Sequence, residues 1–465
     1  MTRRNRDASR GSLRRLGIGF ASSARKKFTS DMVTTRVRTA LRNLPYLWSM
    51  LDLRFPKSDP AERVLDRCPT IEDLREAARV RTPRPVFDFV DGAAGTESGK
   101  VRALEAFDRV YNHPGPVGAT AGIDIDLSVE VFGKRQAVPL VLGPTGFTRL
   151  AHTAGESAVA KAAGAAGIPY TLSTPATCSI EDIARIDPRP DLWFQLYVLR
   201  DRVLTLDLVR RAETEGYRVL VLTVDTPVAG DRRRDSRNGF SIPAKVGFGS
   251  MVRMARHPGW LTGAATSEPL DLASFPLAGK GDMWSRLQAV TDSNFGFDEI
   301  SWVRAAWDGP LVVKGILDPQ LARRAVDLGA DGVVVSNHGG RQLDRTVAPL
   351  DALEPIVDAV GADASVFLDG GVREGADIAA AVALGATAVF VGRPYLYGLM
   401  AAGERGVGHA IEIFRHGLDH HLRLLGVDAV AKLDRRHVTL APSPLGDSMS
   451  TRFDPAAPGT VPVIG

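Results

Sequence analysis

Cysteine and long apolar segments are scarce in this chain of 465 residues. Its two cysteines, Cys68 and Cys178, lie far apart and outside any metal-ligand spacing. This argues against a disulfide framework and a zinc site, and it indicates a reducing compartment. No apolar run approaches the roughly 18 residues that span a bilayer, so we expect no integral membrane segment. With 44% hydrophobic and 24% charged residues, the remaining composition is typical of a soluble globular protein.

Positive charge is concentrated near the N-terminus. Residues 1–57 contain 14 Lys and Arg against 3 Asp, a net charge of +11, so the other 408 residues sum to −7 within the total of +4. We interpret residues 1–57 as a basic, flexible arm, with attraction to an anionic membrane leaflet or a targeting peptide as alternatives. Residues 41–53 are more apolar and are compatible with an amphipathic helix. The Pro-, Ser- and Gly-rich segment 441–465 is expected to be a disordered tail.

Short β-rich runs alternate with Ala-rich helical stretches from Pro139 onward, as in parallel strands joined by helices. Eight strands are predicted, at residues 140–142, 170–172, 193–196, 219–224, 311–314, 332–335, 365–368 and 388–391. Eight βα units over about 260 residues favour an α/β fold of the closed (β/α)8 TIM barrel type, with an open doubly wound sheet as the alternative. We place this barrel domain at residues 58–440.

Three additions to the barrel are predicted. A helix over residues 70–81, with Thr70 as its N-cap, belongs to an N-terminal helical extension, and apolar spacing predicts another helix over 410–425. Between the fourth and fifth strands, residues 228–302 form a connection far longer than a usual βα loop. We interpret this insertion as a lid, with contact to a membrane surface as the alternative.

The motif SNHGGRQLD, residues 336–344, directly follows the sixth predicted strand. His338 can take up a proton near neutral pH, and the guanidinium of Arg341 matches a carboxylate, so together they suit a small 2-hydroxy acid. For an isolated pair of this spacing, a turn histidine and a solvated arginine would be the favoured interpretation. Polar residues at the carboxyl end of every predicted strand, however, favour a ligand that covers the whole barrel mouth.

Glycine-rich turns with arginines follow the last two strands, in DGGVR at 369–373 and GRP at 392–394. Barrels of this type usually bind phosphate there, so a phosphorylated cofactor is predicted. Lys314 would be costly to bury without an anionic partner, which a reduced flavin ring supplies; a lysine that reaches solvent is the alternative. With Gln195 and Thr223 as amide and hydroxyl partners for a polar ring edge, a flavin is favoured.

From about residue 70 to residue 438 the chain resembles the FMN-dependent L-2-hydroxy acid oxidases and dehydrogenases. The motifs that carry the resemblance are SNHGGRQLD, GPTGFTRLAHTAGE at 143–156, WFQLYV at 193–198, LTVDTP at 222–227, VVKGI at 312–316 and FLDGGVREGADI at 367–378. Within the family the likeness is closest to flavin L-lactate dehydrogenases without a haem domain.

The resemblance implies catalytic roles for five residues. His338 is implied to be the base and Asp225 to stabilise its charged form, while Tyr197 hydrogen-bonds the substrate hydroxyl or the developing carbonyl oxygen. Arg341 binds the substrate carboxylate, and Arg232 is a second cation in the substrate pocket.

The implied cofactor is FMN, and no metal is implied. Lys314, also placed in the catalytic set, is implied to stabilise negative charge at the flavin N1 and O2 atoms. The residues implied to surround the ring, ribityl chain and phosphate are Pro144, Thr145, Gly146, Ser173, Gln195, Thr223, Lys314, Ser336, Asp369, Gly370, Gly371, Arg373, Gly392 and Arg393.

Three positions bear on specificity. Phe89, in the substrate-binding set, stands where the family usually has a tyrosine whose hydroxyl helps to hold the carboxylate. Pro175 replaces a bulkier or aliphatic residue near the pocket. Gly146 stands where many oxidases of the family have alanine, which makes the chain more similar to members that pass electrons to acceptors other than oxygen.

We therefore expect oxidation of an L-2-hydroxy acid, L-lactate to pyruvate. The alternatives are another 2-hydroxy acid or a modified peptide as substrate, oxygen as acceptor, and a non-catalytic flavin-binding protein. The first histidine of the chain is His113, so the segment before the barrel lacks a histidine pair for haem, and an external acceptor such as a quinone is expected. We also expect a cytoplasmic homotetramer, with peripheral contact to the inner face of the membrane as a further hypothesis, and no nucleic-acid partner.

Overall fold

The computed structural model describes residues 37–46, 58–239, 256–274, 286–287 and 290–443. The chain divides into two compact units, residues 1–58 and 59–465. In the first unit residues 37–46 are helical (α1), so the predicted helix over 41–53 is helical as far as residue 46, and its remainder lies outside the described residues. Residues 1–36 of the predicted arm and 444–465 of the predicted tail also lie outside them.

The second unit contains twelve strands in its described part. They are β1 Val110–Asn112, β2 Val129–Val131, β3 Lys134–Gln136, β4 Leu140–Leu142, β5 Pro169–Ser173, β6 Asp191–Leu196, β7 Val219–Thr223, β8 Leu311–Ile316, β9 Gly332–Ser336, β10 Ser365–Asp369, β11 Ala388–Val391 and β12 Val438–Leu440. Strands β4 to β11 form a closed parallel barrel in which β11 pairs with β4. The predicted TIM barrel is confirmed, and the open doubly wound sheet is wrong.

Helices precede the barrel, join its strands and follow it. Their bounds are α2 Pro60–Leu65, α3 Ile71–Arg81, α4 Arg84–Asp91, α5 Ser98–Glu105, α6 Thr148–Ala151, α7 Gly155–Ala166, α8 Ile180–Ala184, α9 Arg202–Thr214, α10 Arg233–Asn238, α11 Pro258–Thr266, α12 Ile300–Ala305, α13 Pro319–Asp327, α14 Pro349–Val360, α15 Gly375–Ala383 and α16 Arg393–Leu425. None of the helices in the described ranges is long and apolar enough to cross a membrane.

Local sequence explains where several elements begin and bend. Thr70 caps α3 as predicted, because its hydroxyl accepts from the Asp73 backbone N–H at 3.1 Å while the Asp73 carboxylate accepts from the Thr70 N–H at 3.1 Å. The predicted helix over 410–425 is the second half of α16, which is interrupted at Ala402 and Gly403 by non-helical backbone.

Strands β2 and β3 form a hairpin that covers the amino end of the barrel. Val131 is buried among the side chains of the barrel interior, and Phe132 packs against Trp193 and Phe367 with ring centroids 6.1 and 5.9 Å apart. Trp193 also contacts Phe390 at 5.8 Å. This apolar layer fills the half of the barrel interior nearest the amino ends of the strands, so a ligand site has room only at their carboxyl ends.

The described parts of the insertion pack over the loops that follow β4 and β5. The indole N–H of Trp260 in α11 donates to the carbonyl of Leu150 at 3.1 Å, and the Ala273 N–H donates to the Ala176 carbonyl at 3.2 Å. The mixed basic and apolar residues at 245–254 lie outside the described residues. The described segments of the insertion therefore cover one side of the barrel mouth, and their role as a lid stays a prediction.

Candidate active site

A cavity of about 390 Å³ opens at the carboxyl ends of the barrel strands. All eight strands or the turns after them contribute lining residues, and Leu287, Thr291 and Ser293 of the insertion line it as well. The predicted site residues that line it are Phe89, Pro144, Thr145, Gly146, Ser173, Gln195, Tyr197, Thr223, Arg232, Lys314, His338, Arg341, Asp369, Gly370, Gly371, Arg373, Gly392 and Arg393. The sequence prediction of one shared mouth is thus matched by the geometry.

Two predicted residues, Asp225 and Ser336, lie behind this lining instead. Ser336 is buried, donates to the Asp369 carboxylate at 2.7 Å and accepts from the Lys314 ammonium at 3.1 Å and from the His338 backbone N–H at 3.0 Å. Its hydroxyl is thus hydrogen-bonded to three protein groups, and the cofactor contact predicted for Ser336 stays a prediction.

Asp225 holds the imidazole of His338. Its Oδ1 lies 2.9 Å from His338 Nδ1, which directs Nε2 of the ring toward the cavity. Burial by itself would raise the pKa of Asp225, but the nearby charges of His338 and Lys314 keep that pKa below its usual value. An ionised Asp225 can accept a hydrogen bond from Nδ1–H of His338 and stabilise the positive charge that forms when Nε2 takes a proton, which is the arrangement that a general base requires.

The turn that presents His338 needs unusual backbone conformations. His338, Gly339 and Gly340 all have positive φ, at 57°, 62° and 72°. A Cβ at Gly339 would lie 2.7 Å from Arg393 Nη1, and one at Gly340 would lie 2.7 Å from the Lys100 backbone nitrogen. The paired glycines of the motif are therefore required by close packing as well as by φ.

Two guanidinium groups lie against the ring of Phe89. The Cζ atoms of Arg341 and Arg232 are 5.2 and 5.5 Å from the ring centroid. Both groups line the cavity, so the aromatic face fixes two neighbouring cations through cation–π contact where a tyrosine would add a hydroxyl.

Backbone carbonyls at the end of α4 orient two buried arginines. Arg341 Nη1 donates to the Phe89 carbonyl at 2.7 Å and the Gly92 carbonyl at 3.0 Å. Arg393 donates to the carbonyls of Val90, Gly92 and Gly339 at 3.0, 2.6 and 2.8 Å. None of the ion pairs found among the described residues includes either arginine, so their positive charge remains available to an anionic ligand.

Lys314 lies at the floor of the cavity, 2.8 Å from Asp369 Oδ2. Burial by itself would lower the pKa of Lys314, but Asp369 and Asp225 hold it above its usual value. The ammonium is therefore charged at neutral pH. It faces the same interior as Gln195 and Thr223 on the neighbouring strands.

Sequence reasoning missed three residues that shape this site. Lys100 lines the cavity next to Arg393, and burial together with that neighbouring cation lowers the pKa of Lys100 to about 8. Asp344 accepts from the backbone N–H groups of Thr96 and Gly99 at 2.7 and 3.0 Å. Asp344 is the last residue of the SNHGGRQLD motif, which could have marked it, whereas no local pattern marks Lys100, because it lies in a helix that the sequence did not predict.

The third missed residue, Glu156, is fully buried and joins the loops after β4 and β5. Its carboxylate accepts from the backbone N–H groups of Thr148 at 3.2 Å and Thr177 at 2.8 Å, and from the Thr177 hydroxyl at 2.6 Å. It lies in the GPTGFTRLAHTAGE motif, which could have marked it as part of the site.

Comparison with known proteins identifies the family. Residues 78–440 match the family model described as FMN-dependent dehydrogenase. The chain belongs to the FMN-dependent dehydrogenases. A Mycobacterium tuberculosis protein provisionally named L-lactate dehydrogenase is 44% identical over 390 residues, which are 84% of this chain and 94% of that protein. A 4-hydroxymandelate oxidase from Amycolatopsis orientalis is 40% identical over 80% of this chain and 98% of its own length.

Among solved structures, a monotopic membrane (S)-mandelate dehydrogenase superposes with a TM-score of 0.75 at 36% identity, covering 80% of this chain and 100% of that one. This chain is therefore an enzyme that oxidises 2-hydroxy acids, and its cofactor is FMN. The family relationship predicted from the motifs is confirmed.

Unpaired polar atoms in the cavity fit this cofactor. The Oε1 atom of Gln195 accepts from the Ser173 hydroxyl at 2.9 Å and from the Thr174 N–H at 3.2 Å, which turns the amide nitrogen into the cavity. That nitrogen and the Thr223 hydroxyl are buried without a hydrogen-bond partner. A flavin ring edge carries the carbonyl and ring-nitrogen groups that such a donor and hydroxyl require. No cluster of His, Cys, Asp or Glu suited to a metal ion occurs in the described segments.

Proposed function

We propose that this enzyme oxidises L-lactate to pyruvate and passes the electrons to an acceptor other than oxygen. The observation that carries the proposal is a single cavity in which the His338 and Asp225 pair faces two guanidinium groups and a buried lysine. The named relative at 44% identity supports lactate as the substrate.

Arg341 and Arg232 bind the substrate carboxylate in this proposal. Their shared contact with Phe89 fixes both cations on one side of the cavity. A carboxylate held by two cations leaves the 2-hydroxyl and the α-hydrogen a restricted set of orientations.

His338 takes a proton from the bound substrate at Nε2, and Asp225 stabilises the resulting imidazolium. Burial raises the pKa of Tyr197 above its usual value, and the nearby charge of Asp225 raises it further. The phenol therefore stays protonated and donates to the substrate oxygen. FMN supplies the acceptor for the electron pair that leaves the substrate.

We assign Lys314, Gln195, Ser173 and Thr223 to the flavin ring. The ribityl chain and phosphate are assigned to Asp369, Gly370, Gly371, Arg373, Gly392 and Arg393, with Pro144, Thr145 and Gly146 beside the ring. The supporting observation is their shared lining of one cavity with cations at the end formed by β10 and β11.

A mandelate-type substrate is the second candidate. Two similar proteins carry mandelate in their names, one an oxidase and one a dehydrogenase. Pro175, Val228 and Leu287 add an apolar wall to the cavity, which is compatible with a larger side chain.

Anaerobic reduction tests the proposal and separates these candidates. Purified protein should be yellow, and L-lactate should bleach the flavin absorption, with weaker effects from 2-hydroxybutyrate and (S)-mandelate. Bleaching by (S)-mandelate but not by L-lactate would show that a mandelate-type acid, and not lactate, is the substrate. A protein that binds FMN but is inert to every 2-hydroxy acid would contradict the proposed reaction.

We also propose a quinone or another external group as acceptor, peripheral contact with the inner face of the membrane, and a homotetramer. The basic segment 1–57 supports membrane contact, and one similar solved structure is named as a monotopic membrane protein. An acceptor screen and light scattering of the purified protein test the acceptor and the oligomeric state.

A further inference from the structure

The chain segment that follows β7 is attached to neighbouring loops as soon as it leaves the cavity. The Gly230 N–H donates to the Gln342 side chain at 3.3 Å, and the Asp231 carbonyl accepts from the Gly95 N–H at 2.8 Å. Arg232 follows and lines the cavity, and α10 begins at the next residue. The backbone on the N-terminal side of Arg232 is therefore fixed.

Arg234 fixes the other side of Arg232, and it does so outside the cavity lining. Its Nη1 donates to Asp91 Oδ2 at 2.8 Å, and its Nη2 donates to Glu97. The Asp91 side chain is fully buried, whereas that of Arg234 is 30% exposed. At the end of α10, Asn238 donates to Asp88 at 2.9 Å, so both ends of this short helix are attached to α4 and the loop after it.

Helix α4 also carries the groups that orient the substrate cations. Its Phe89 ring contacts the guanidinium groups of Arg232 and Arg341, and its last carbonyls accept from Arg341. Because Arg234 attaches α10 to the same helix, the contact between Arg234 and Asp91 sets where Arg232 lies relative to Arg341.

We propose that Arg234 is a positioning residue for the substrate site: it holds Arg232 at the separation from Arg341 that a carboxylate requires. The proposal rests on the proposed function, in which these two arginines bind the substrate carboxylate. His338 and most of the proposed flavin contacts come from other strands, and Asp225 and Thr223, at the end of β7, precede the fixed Gly230. Loss of Arg234 therefore weakens substrate binding while proton removal and FMN binding persist.

The test compares Arg234→Gln with Arg233→Gln. Arg233 is the matched control because it lies one residue earlier on α10 and is exposed, and its one ion pair found among the described residues is with the nearby Asp231 at 2.9 Å. In anaerobic stopped-flow reduction, Arg234→Gln should raise the half-saturating substrate concentration about tenfold, as expected when one charge-assisted hydrogen bond loses its geometry. The limiting rate should stay within about threefold, with FMN content unchanged. An equal shift in both variants, or no shift in Arg234→Gln, would overturn the proposal.

A double-mutant cycle separates positioning from general damage. In an Arg232→Gln background, Arg234→Gln should have no further effect on half-saturation, because the group that it positions is gone. Additive effects would show that Arg234 acts independently of Arg232 and would contradict the proposal. Should Arg234→Gln fail to fold, Arg234→Lys, which keeps the charge but loses the forked geometry, takes its place in the same cycle.

Failure of the proposed function is recognised separately. If no 2-hydroxy acid reduces the wild-type flavin, oxalate binding is measured instead through the change in flavin absorption. Weaker oxalate binding in Arg234→Gln, but not in Arg233→Gln, would still support the positioning role, and equal binding in all three proteins would reject it.

Discussion

At the scale of single residues, neutral groups orient the guanidinium of Arg341, and none of the ion pairs found among the described residues includes it. Arg341 Nη1 donates to the carbonyls of Phe89 and Gly92, and the guanidinium lies against the Phe89 ring. Burial and the neighbouring Arg232 and Arg393 lower the pKa of Arg341 relative to an exposed arginine. An incoming carboxylate relieves this mutual repulsion, which favours an anionic ligand over a neutral one.

Replacement of the base gives the most direct residue-scale prediction. His338→Gln should lower the rate of flavin reduction by about 10²- to 10⁴-fold, because glutamine cannot accept the substrate proton. FMN content should not change, since the imidazole is held by Asp225 and not by the proposed flavin contacts. Stopped-flow absorbance measures the rate, with the exposed His416→Gln as control. Reduction at the wild-type rate would remove His338 from its role.

Gly146 and Pro175 should behave as a coupled pair. A Cβ at Gly146 would lie 2.8 Å from Pro175 Cγ, so Gly146→Ala must displace the proline ring or its own loop, at a cost of about 1–3 kcal/mol. We expect Gly146→Ala to weaken FMN retention in equilibrium dialysis and Gly146→Ala/Pro175→Ala to restore most of it. Equal FMN affinity in Gly146→Ala and wild type would show that the loop absorbs the methyl group.

At the scale of elements, one buried carboxylate joins the N-terminal helices to the barrel. Asp91 at the end of α4 accepts from Arg75 of α3 at 2.7 Å, Tyr397 of α16 at 2.8 Å and Arg234 of α10 at 2.8 Å, and it also pairs with Lys100. Loss of this one charge would leave three cations without their shared partner. The extension is thereby part of the active-site scaffold.

Asp91→Asn should destabilise the protein by about 3–5 kcal/mol, because it removes one partner of a buried ion-pair network. Urea unfolding followed by tryptophan fluorescence measures the difference in the free energy of unfolding. The exposed Asp207→Asn, whose partner Arg211 lies 3.6 Å away, should change stability by less than about 0.5 kcal/mol. Similar losses in both variants would contradict the special role of Asp91.

The stability difference between wild type and Asp91→Asn should depend on pH. Burial by itself would raise the pKa of Asp91, but Arg75, Lys100 and Tyr397 hold it well below its usual value of 3.8. A lowered folded-state pKa contributes stability that is complete above the unfolded-state pKa and is lost as the pH falls below it. The difference measured at pH 7 should therefore shrink below about pH 4, and a difference that grows in acid would contradict this assignment.

Sequence pattern predicted the barrel well, because its strands are short β-branched runs bounded by turns, and seven of the eight predictions lie wholly within observed strands. The eighth differs by one residue, since β7 ends at Thr223 rather than Val224. Helix α4 was not predicted. It is only eight residues long, and although Arg84, Asp88 and Asp91 recur at helical spacing, Val86 to Asp91 are all buried, so the two aspartates do not mark a solvent-exposed face. The roles of Asp91 and Arg234 depend on contacts across 143 positions, which no local pattern contains.

At the scale of the whole molecule, the charge of residues 1–57 belongs to a unit distinct from the barrel domain. Full-length protein should sediment with vesicles of anionic lipid, and a variant lacking residues 1–57 should not, because each basic residue near such a surface contributes about 1 kcal/mol. Neutral vesicles and 0.5 M salt (roughly a 4 Å screening length) serve as controls. Equal sedimentation of both proteins would show that any membrane contact does not depend on residues 1–57. Equal rates of flavin reduction by the 2-hydroxy acid substrate are expected from both.

The β2–β3 hairpin closes the amino end of the barrel with Phe132 against Trp193 and Phe367. In the described part of the chain, the substrate and the oxidant that reoxidises the enzyme must therefore enter and leave through the same opening, at the carboxyl ends of the strands. The two bind one after the other, because the oxidised product has to leave this opening before the oxidant can enter. Steady-state rates measured at several oxidant concentrations should then give parallel double-reciprocal lines, which indicate a ping-pong mechanism.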